Sequence, residues 1–201
     1  LRGSAPPLVV QGLVVAGLDT GKLLVLSVDK GLPLTEKTIA APRGRTEIER
    51  MIDIDSEPKV MDDTLYLAAY RGSVAAIDMR GGNLVWTRDL SSYAGLAVDA
   101  GQVYVSDDTD AVVALERRSG GSLWKQPELT GRRLSAPAVT DDYVVVGDFE
   151  GYLHWLNKDS GRIMGRVRAT STPIIAPPVA AGNVVFVYGQ GGTLSAFRVG
   201  G

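Results

Sequence analysis

Two stretches decide the fold: AIDMRGGNLVW at residues 76–86 and ALERRSGGSLW at 114–124. Laid over each other, they share an Ala, an acid, a Gly and a Trp at one spacing, A-x-[D/E]-x-x-x-G-x-x-x-W. The same register runs outward in both directions. Anchors at Gly21, Gly72, Asp110, Gly151 and Gly192 lie 51, 38, 41 and 41 residues apart. Ten residues after the first four stand Gly31, Gly82, Gly120 and Gly161; fourteen before the five stand Pro7, Pro58, Leu96, Pro137 and Pro178. A period of about 43 residues is that of an architecture built from repeated supersecondary units.

Each unit reads as three or four strands. Seven to five residues before each anchor the chain is apolar: Val14-Val15-Ala16, Leu65-Tyr66-Leu67, Val103-Tyr104-Val105, Val144-Val145-Val146 and Val185-Phe186-Val187. Such β-branched and aromatic runs bounded by Gly and Asp are strands. Two residues past the anchor, Leu23, Val74, Val112, Leu153 and Leu194 recur. Near-continuous apolar runs imply burial on both faces, as when one sheet stacks on the next. The recurrent Pro fits the first residue of a strand, where no ladder donor is lost. The fold class that follows is all-β, a β-propeller with four-stranded blades, and the A-x-[D/E]-x-x-x-G-x-x-x-W pattern resembles that of quinoprotein-like propellers. In that setting Trp86 and Trp124 dock against a neighbouring blade instead of stacking on a ligand. At this period 201 residues make about five units. The last stops near Phe197, after its third strand, so the expectation is part of a larger ring, with a small five-bladed ring, or a ring completed by a second copy, as the alternatives.

Composition agrees with many short strands and turns: 24 Gly, 10 Pro and 22 % charged residues. A net charge of −2 gives no electrostatic footprint for nucleic acid or an anionic membrane surface. No apolar run approaches the ~18 residues of a spanning helix. With no Cys, a disulfide scaffold, a thiolate metal site and a Cys nucleophile are excluded within this stretch.

The acidic pairs invite a catalytic reading, but the register explains them. Asp62-Asp63 and Asp141-Asp142 fill the slot held elsewhere by Gln11-Gly12, Ala100-Gly101 and Ala181-Gly182, the turn between the first two strands of a unit. Asp107, Asp108 and Asp110 crowd the next turn, yet the Gly and Glu of a calcium loop are missing. His154, the one histidine, lies mid-strand between Tyr152 and Trp155 and reads as a packed or rim residue. No Ser/His/Asp set, phosphate loop or zinc spacing appears, so the chain reads as a non-enzyme with no catalytic residue, metal or cofactor.

The irregular part is more informative. The gap of 51 holds about ten extra residues within Thr35–Asp55, a long inter-blade loop with Lys37, Arg43, Arg45 and Arg50 against Glu36, Glu47, Glu49, Asp53 and Asp55. Arg2 lies five residues before Pro7, and Asp53 five before Pro58. Both enter equivalent strands of adjacent blades and emerge on one face. Leu1, Arg2, Asp53 and Asp55 thus form one patch with an apolar contact and charges of both signs, suited to a protein partner.

At these residues a resemblance becomes specific. LRGSAP at 1–6, TEIERMIDID at 46–55 and EGYLHW at 150–155 are similar to the outer-membrane assembly lipoprotein family BamB, in order, from residue 1 to about 198. The resemblance implies an eight-bladed propeller of which this stretch matches the C-terminal portion. It implies a non-catalytic scaffold at the periplasmic face of the outer membrane in a Gram-negative bacterium. There it docks on a periplasmic POTRA domain of BamA and assists folding and insertion of β-barrel proteins. The family's partner contacts carry over to Leu1 and Arg2 of the LRG motif and to Asp53 and Asp55 of the DxD motif. A lipidated Cys, the membrane attachment, would lie upstream of Leu1. Unfolded barrel clients are a second class of partner, by strand addition at an exposed blade edge. The rival readings are a fragment of a quinone-dependent dehydrogenase and a ligand-sensing propeller, which would need a calcium–carboxylate site and a lined central funnel respectively.

Overall fold

In the computed structural model every regular element among the described residues (5–18, 21–38, 54 and 56–198) is a strand. The first sheet runs β1 (Leu8–Val10), β2 (Leu13–Gly17), β3 (Lys22–Ser27), β4 (Pro33–Thr38); the second β5 (Lys59–Met61), β6 (Thr64–Ala68), β7 (Val74–Asp78), β8 (Leu84–Arg88). The third comprises β9 (Gly95–Val98), β10 (Gln102–Ser106), β11 (Val112–Glu116) and β12 (Ser122–Gln126). The fourth has β13 (Ala138–Val139), β14 (Tyr143–Gly147), β15 (Tyr152–Asn157) and β16 (Ile163–Arg168), and the three-stranded fifth has β17 (Val179–Ala181), β18 (Val184–Tyr188) and β19 (Leu194–Arg198). Neighbours in sequence are neighbours in each sheet, a simple meander. No helix among the described residues is long and apolar enough to cross a membrane.

Contacts divide the chain into two compact units, Leu1–Leu96 with Arg118–Gly120, and Ala97–Arg117 with Gly121–Gly201. In the first, Val15 and Leu23 of the first sheet pack with Leu65, Leu67, Ala75 and Ile77 of the second. In the second unit the fourth sheet shows why its strands are apolar throughout. Val144, Val146 and Leu156 pack with Tyr104, Val112 and Ala114 on one side. Val145 and Leu153 pack with Val185 and Val187 on the other. Strand period 2 puts alternate residues on opposite faces, and both faces are covered.

The tryptophans act as the spacing requires. Trp124 lies over the turn at Gly161, whose φ is +70°, and a Cβ there would overlap the indole. Its Nε1–H donates to Lys158 O at 2.9 Å, and Gln126 Nε2 donates to Gly161 O at 3.0 Å. Trp86 covers Gly120 in the same way within the first unit. The donor two residues past the Trp position recurs: Lys37 Nζ reaches Gly82 O and Arg88 Nε reaches Gly120 O, as Gln126 reaches Gly161 O. Each outer strand also carries a bulge one residue before that position. Leu34, Val85, Leu123 and Met164 are the unpaired residues, 59, 50, 51 and 48 % exposed. A bulge at an outer edge twists it and blunts further strand pairing.

Three expectations are corrected. The loop placed at 35–55 begins later, because Thr35–Thr38 belong to β4; that strand is polar and exposed, so its sequence shows no apolar alternation. Residues 39–53 and 55 lie outside the described residues. In the fifth sheet the turn is Gly182-Asn183, not Ala181-Gly182, since Ala181 pairs with Val184 and Gly182 takes φ +59°. The recurrent Pro stands one residue before the first strand at Pro7, Pro58, Pro137 and Pro178, not within it.

Candidate functional site

Of the patch read from the sequence, Leu1, Arg2, Asp53 and Asp55 all lie outside the described residues. The residue between the two acids is described. Ile54 is fully buried, packed with Val15, Leu23, Leu65, Leu67, Ala69, Ala75 and Ile77. It sits against Gly17, where a Cβ would lie 2.5 Å from Ile54 Cγ2. Two residues on, Ser56 Oγ donates to Ala68 O at 3.1 Å, and Lys59 pairs with Glu57 at 2.5 Å. Ile54 and Ser56 are therefore fixed by an apolar plug and a buried hydrogen bond before the start of β5. Ile174 repeats the plug in the second unit, fully buried, against Gly147, with Val145, Leu153, Val185 and Val187. Ile54 and Ile174 both stand four residues before a register Pro, and Gly17 and Gly147 four before an anchor. That coincidence is a sequence signal the repeat reading passed over.

The second unit holds a buried ionic cluster the sequence did not disclose. Asp148 and His154 flank the turn between β14 and β15 and are 0 and 1 % exposed. Asp148 Oδ1 accepts the N–H groups of Glu150 and Tyr152, both at 2.9 Å. Its Oδ2 meets His154 Nε2 at 2.8 Å and Arg132 Nη1 at 2.6 Å, and the same Nη1 reaches Glu150 Oε2 at 3.0 Å. Burial pushes the Asp148 carboxyl up, but these donors outweigh it and hold the group below the usual carboxylate range. His154 is thus a packed residue with an ionic partner, where the sequence reading offered packing or the rim.

The crowded acids of the preceding turn are committed too. Asp107 Oδ1 accepts from Thr109 N, Thr109 Oγ1 and Ala111 N at 2.7–2.9 Å, and Lys125 Nζ sits 2.9 Å from Oδ2. Desolvation raises its carboxyl and these bonds lower it further, so it too titrates below the ordinary range. Asp110 occupies an anchor position with φ +62°, tolerated by Asp, and its Oδ1 accepts Leu134 N at 3.0 Å. Among the described residues no group of three or more His, Asp or Glu is arranged to hold a metal ion.

Comparison with known proteins follows the same lines. A family profile described as outer membrane protein assembly factor BamB matches residues 1–126 and 108–200. Outer membrane protein assembly factor BamB of Pseudomonas aeruginosa is 42 % identical over 199 residues, covering 99 % of this chain and 52 % of that protein. Its counterpart in Escherichia coli K12 is 34 % identical over 194 residues, covering 96 and 50 %. The chain spans about half the length of these relatives. The crystal structure of BamB from Moraxella catarrhalis superposes with a TM-score of 0.91 at 30 % identity, over 99 % of this chain and 60 % of that one. A quinohemoprotein alcohol dehydrogenase from Comamonas testosteroni, 21 % identical with a TM-score of 0.56 over 67 % of this chain and 28 % of that one, shares the fold alone. With a β-propeller fold, quinoprotein-like blades and a family match along nearly its whole length, this chain belongs to the outer membrane protein assembly factor BamB family.

Proposed function

We propose that the chain is a non-catalytic scaffold that docks on a periplasmic POTRA domain of BamA through Leu1, Arg2, Asp53 and Asp55. It works at the periplasmic face of the outer membrane and assists folding and insertion of β-barrel proteins. The observation that carries this reading is Ile54. Two acids that the family resemblance marks as partner contacts flank, in sequence, a residue locked in the core. A rigid anchor of this kind reduces the ordering cost of binding. Arg2 pairs with a carboxylate of the partner, Leu1 fills a shallow apolar site, and the two acids set orientation and on-rate. The non-catalytic reading is supported by the acids of the second unit, whose carboxylates are held in turns and ion pairs.

Part of a longer ring, eight blades in all, also fits the fifth sheet. Val179, Phe186, Tyr188 and Leu194 are 39–69 % exposed on it, whereas Leu23, Val74, Val112 and Leu153 at the register position of Leu194 are buried. A further blade would cover that face. Calorimetry with a soluble BamA POTRA fragment tests the docking. The parent binds, and Arg2→Glu and Asp55→Arg each weaken binding more than about tenfold, ~1.4 kcal/mol. Unchanged affinity in both folded variants would move the interface to another face.

A further inference from the structure

The cleft between the first and second sheets, both in the first unit, is a tryptophan slot without its tryptophan. Elsewhere the outer strand fills it. Trp86 stands fourteen residues after Gly72 and Trp124 fourteen after Asp110, and each indole lies over a turn glycine, Gly120 or Gly161. Each ring is flanked by a tyrosine six residues before the anchor: the centroids of Tyr66 and Trp86 are 6.1 Å apart, those of Tyr104 and Trp124 6.0 Å. At these two positions around Gly21 the first sheet has Thr35 and Val15. Two rings are missing, and the walls do not close on the space they would take. About 70 Å³ remains, floored by the buried Val15, Leu23, Leu65 and Ile77. It opens at the rim, where Thr35 is exposed and Gly82 half-buried.

The frame that holds an indole is nevertheless kept. Gly82 has the φ of its counterparts, +63° against +67° and +70°. Where a Cβ on Gly120 or Gly161 would overlap indole carbons, only the end of the Lys37 side chain comes within 4 Å of the same point on Gly82. Trp124 Nε1 donates to Lys158 O, three residues before Gly161; three before Gly82 stands Met79, in the wall of the cleft. Lys37 Nζ reaches Gly82 O just as Gln126 Nε2 reaches Gly161 O beside an indole already in place, so this bond and a ring can coexist. The lining carboxylate of Asp78 accepts the N–H groups of Arg80 and Gly81, so a neutral ring suits the site better than an ion. We propose that this slot binds a small indole-type ring, planar and carrying an N–H donor, with its face on the Gly82 turn, its inner edge against Val15 and Leu23, and its N–H on Met79 O. The cavity takes the inner part of the ring, and the rest lies over Thr35 in the open mouth. An apolar cavity gains by taking an apolar ring, because its walls recover the dispersion contacts they lack. Neither the site nor its test involves Leu1, Arg2, Asp53 or Asp55.

Indole and 1-methylindole, the same ring system without the donor, are titrated into the full chain. The methyl signals of Val15 and Leu23 are the readout, and those of Val185, in the other unit, are the internal reference. Indole shifts the Val15 and Leu23 signals saturably with a Kd below about 5 mM while Val185 stays in place. 1-Methylindole binds at least about fivefold more weakly, ~1 kcal/mol. Thr35→Trp puts the chain's own indole into the slot and abolishes the response. Thr35→Leu, a smaller change at the same exposed position, weakens binding at least about fivefold and serves if the larger variant misfolds. The proposal is overturned if Val15 and Leu23 do not respond, if Val185 responds equally, if 1-methylindole binds as well as indole, or if a folded Thr35 variant binds indole as the parent does.

Discussion

Ile54 and Gly17 meet with no side chain between them: Ile54 fills the space a Cβ on Gly17 would need, 2.5 Å from its Cγ2. The same pairing recurs between Ile174 and Gly147. A plug and a bare backbone are one device, and neither residue is replaceable alone. This relationship ties the most family-specific stretch of sequence to the apolar core of the first unit.

Ile54→Ala empties a fully buried site and should lower stability by about 2–5 kcal/mol. Gly17→Ala inserts a methyl where Ile54 already stands and should destabilise by at least about 1 kcal/mol. Urea midpoints of the two variants check both values. If docking depends on the plug, Ile54→Ala also weakens binding to the POTRA fragment under conditions where the variant remains folded.

Gly161 combines a positive φ with contact to Trp124. Gly161→Ala should cost more than the ~1 kcal/mol of the backbone effect alone, because the indole must move as well. Gln126→Ala removes the donor to Gly161 O and the acceptor of the Glu128 N–H and should cost about 1–2 kcal/mol. An equal loss in both variants, measured by urea denaturation, would show that the Trp contact is slack.

The first sheet has Thr35 where the next two have Trp, and an apolar cavity of about 70 Å³ remains beside it, lined by Val15, Leu23, Val25, Leu65 and Ile77. Thr35→Leu reaches into that space and should stabilise the chain by about 1–2 kcal/mol, the cavity term for such a volume. A rise in the urea midpoint checks it; a fall would mean that the Thr hydroxyl is required.

Asp148 makes stability pH-dependent with a definite sign. Its folded pKa lies below the unfolded value, so the unfolded chain takes up the proton first as pH falls. The contribution is complete above the ordinary carboxylate range of about 4 and is lost as pH drops through the folded value. Asp148→Asn leaves His154 without its anion and Arg132 with Glu150 alone, and should cost about 3 kcal/mol at neutral pH. Its stability should also fall less than the parent's between about pH 6 and pH 3. Parallel pH profiles for parent and variant would remove Asp148 from the acid response.

The strands, the turns and the docking role of the two Trp residues were legible because they repeat. A register sampled four or five times in one chain separates structural residues from accidents, and period 2 within each strand assigns the faces. Gly82, Gly120 and Gly161 could be read as turn openers, with φ of +63°, +67° and +70°. The outer strand β4 was not legible, because an exposed edge strand needs no apolar alternation and Thr35–Thr38 is wholly polar. The donors at Lys37, Arg88 and Gln126 escaped notice since three chemically different side chains do one task, bonding a glycine carbonyl.

What the sequence determined by itself is therefore the local and repeated part: five β units, their turns and the family they belong to. How unlike positions meet is set by packing and is not written in any one segment. Asp148 and His154 lie six residues apart with nothing in their spacing to pair them, and Arg132 comes from the preceding loop. Burial removes water from Asp148 and His154, and a carboxylate taken from water must find donors where the fold supplies them, here the partly exposed Arg132 among them. Ile54 is the same case in apolar form. Its neighbours make it look like part of a charged motif, while the packing of two sheets makes it core.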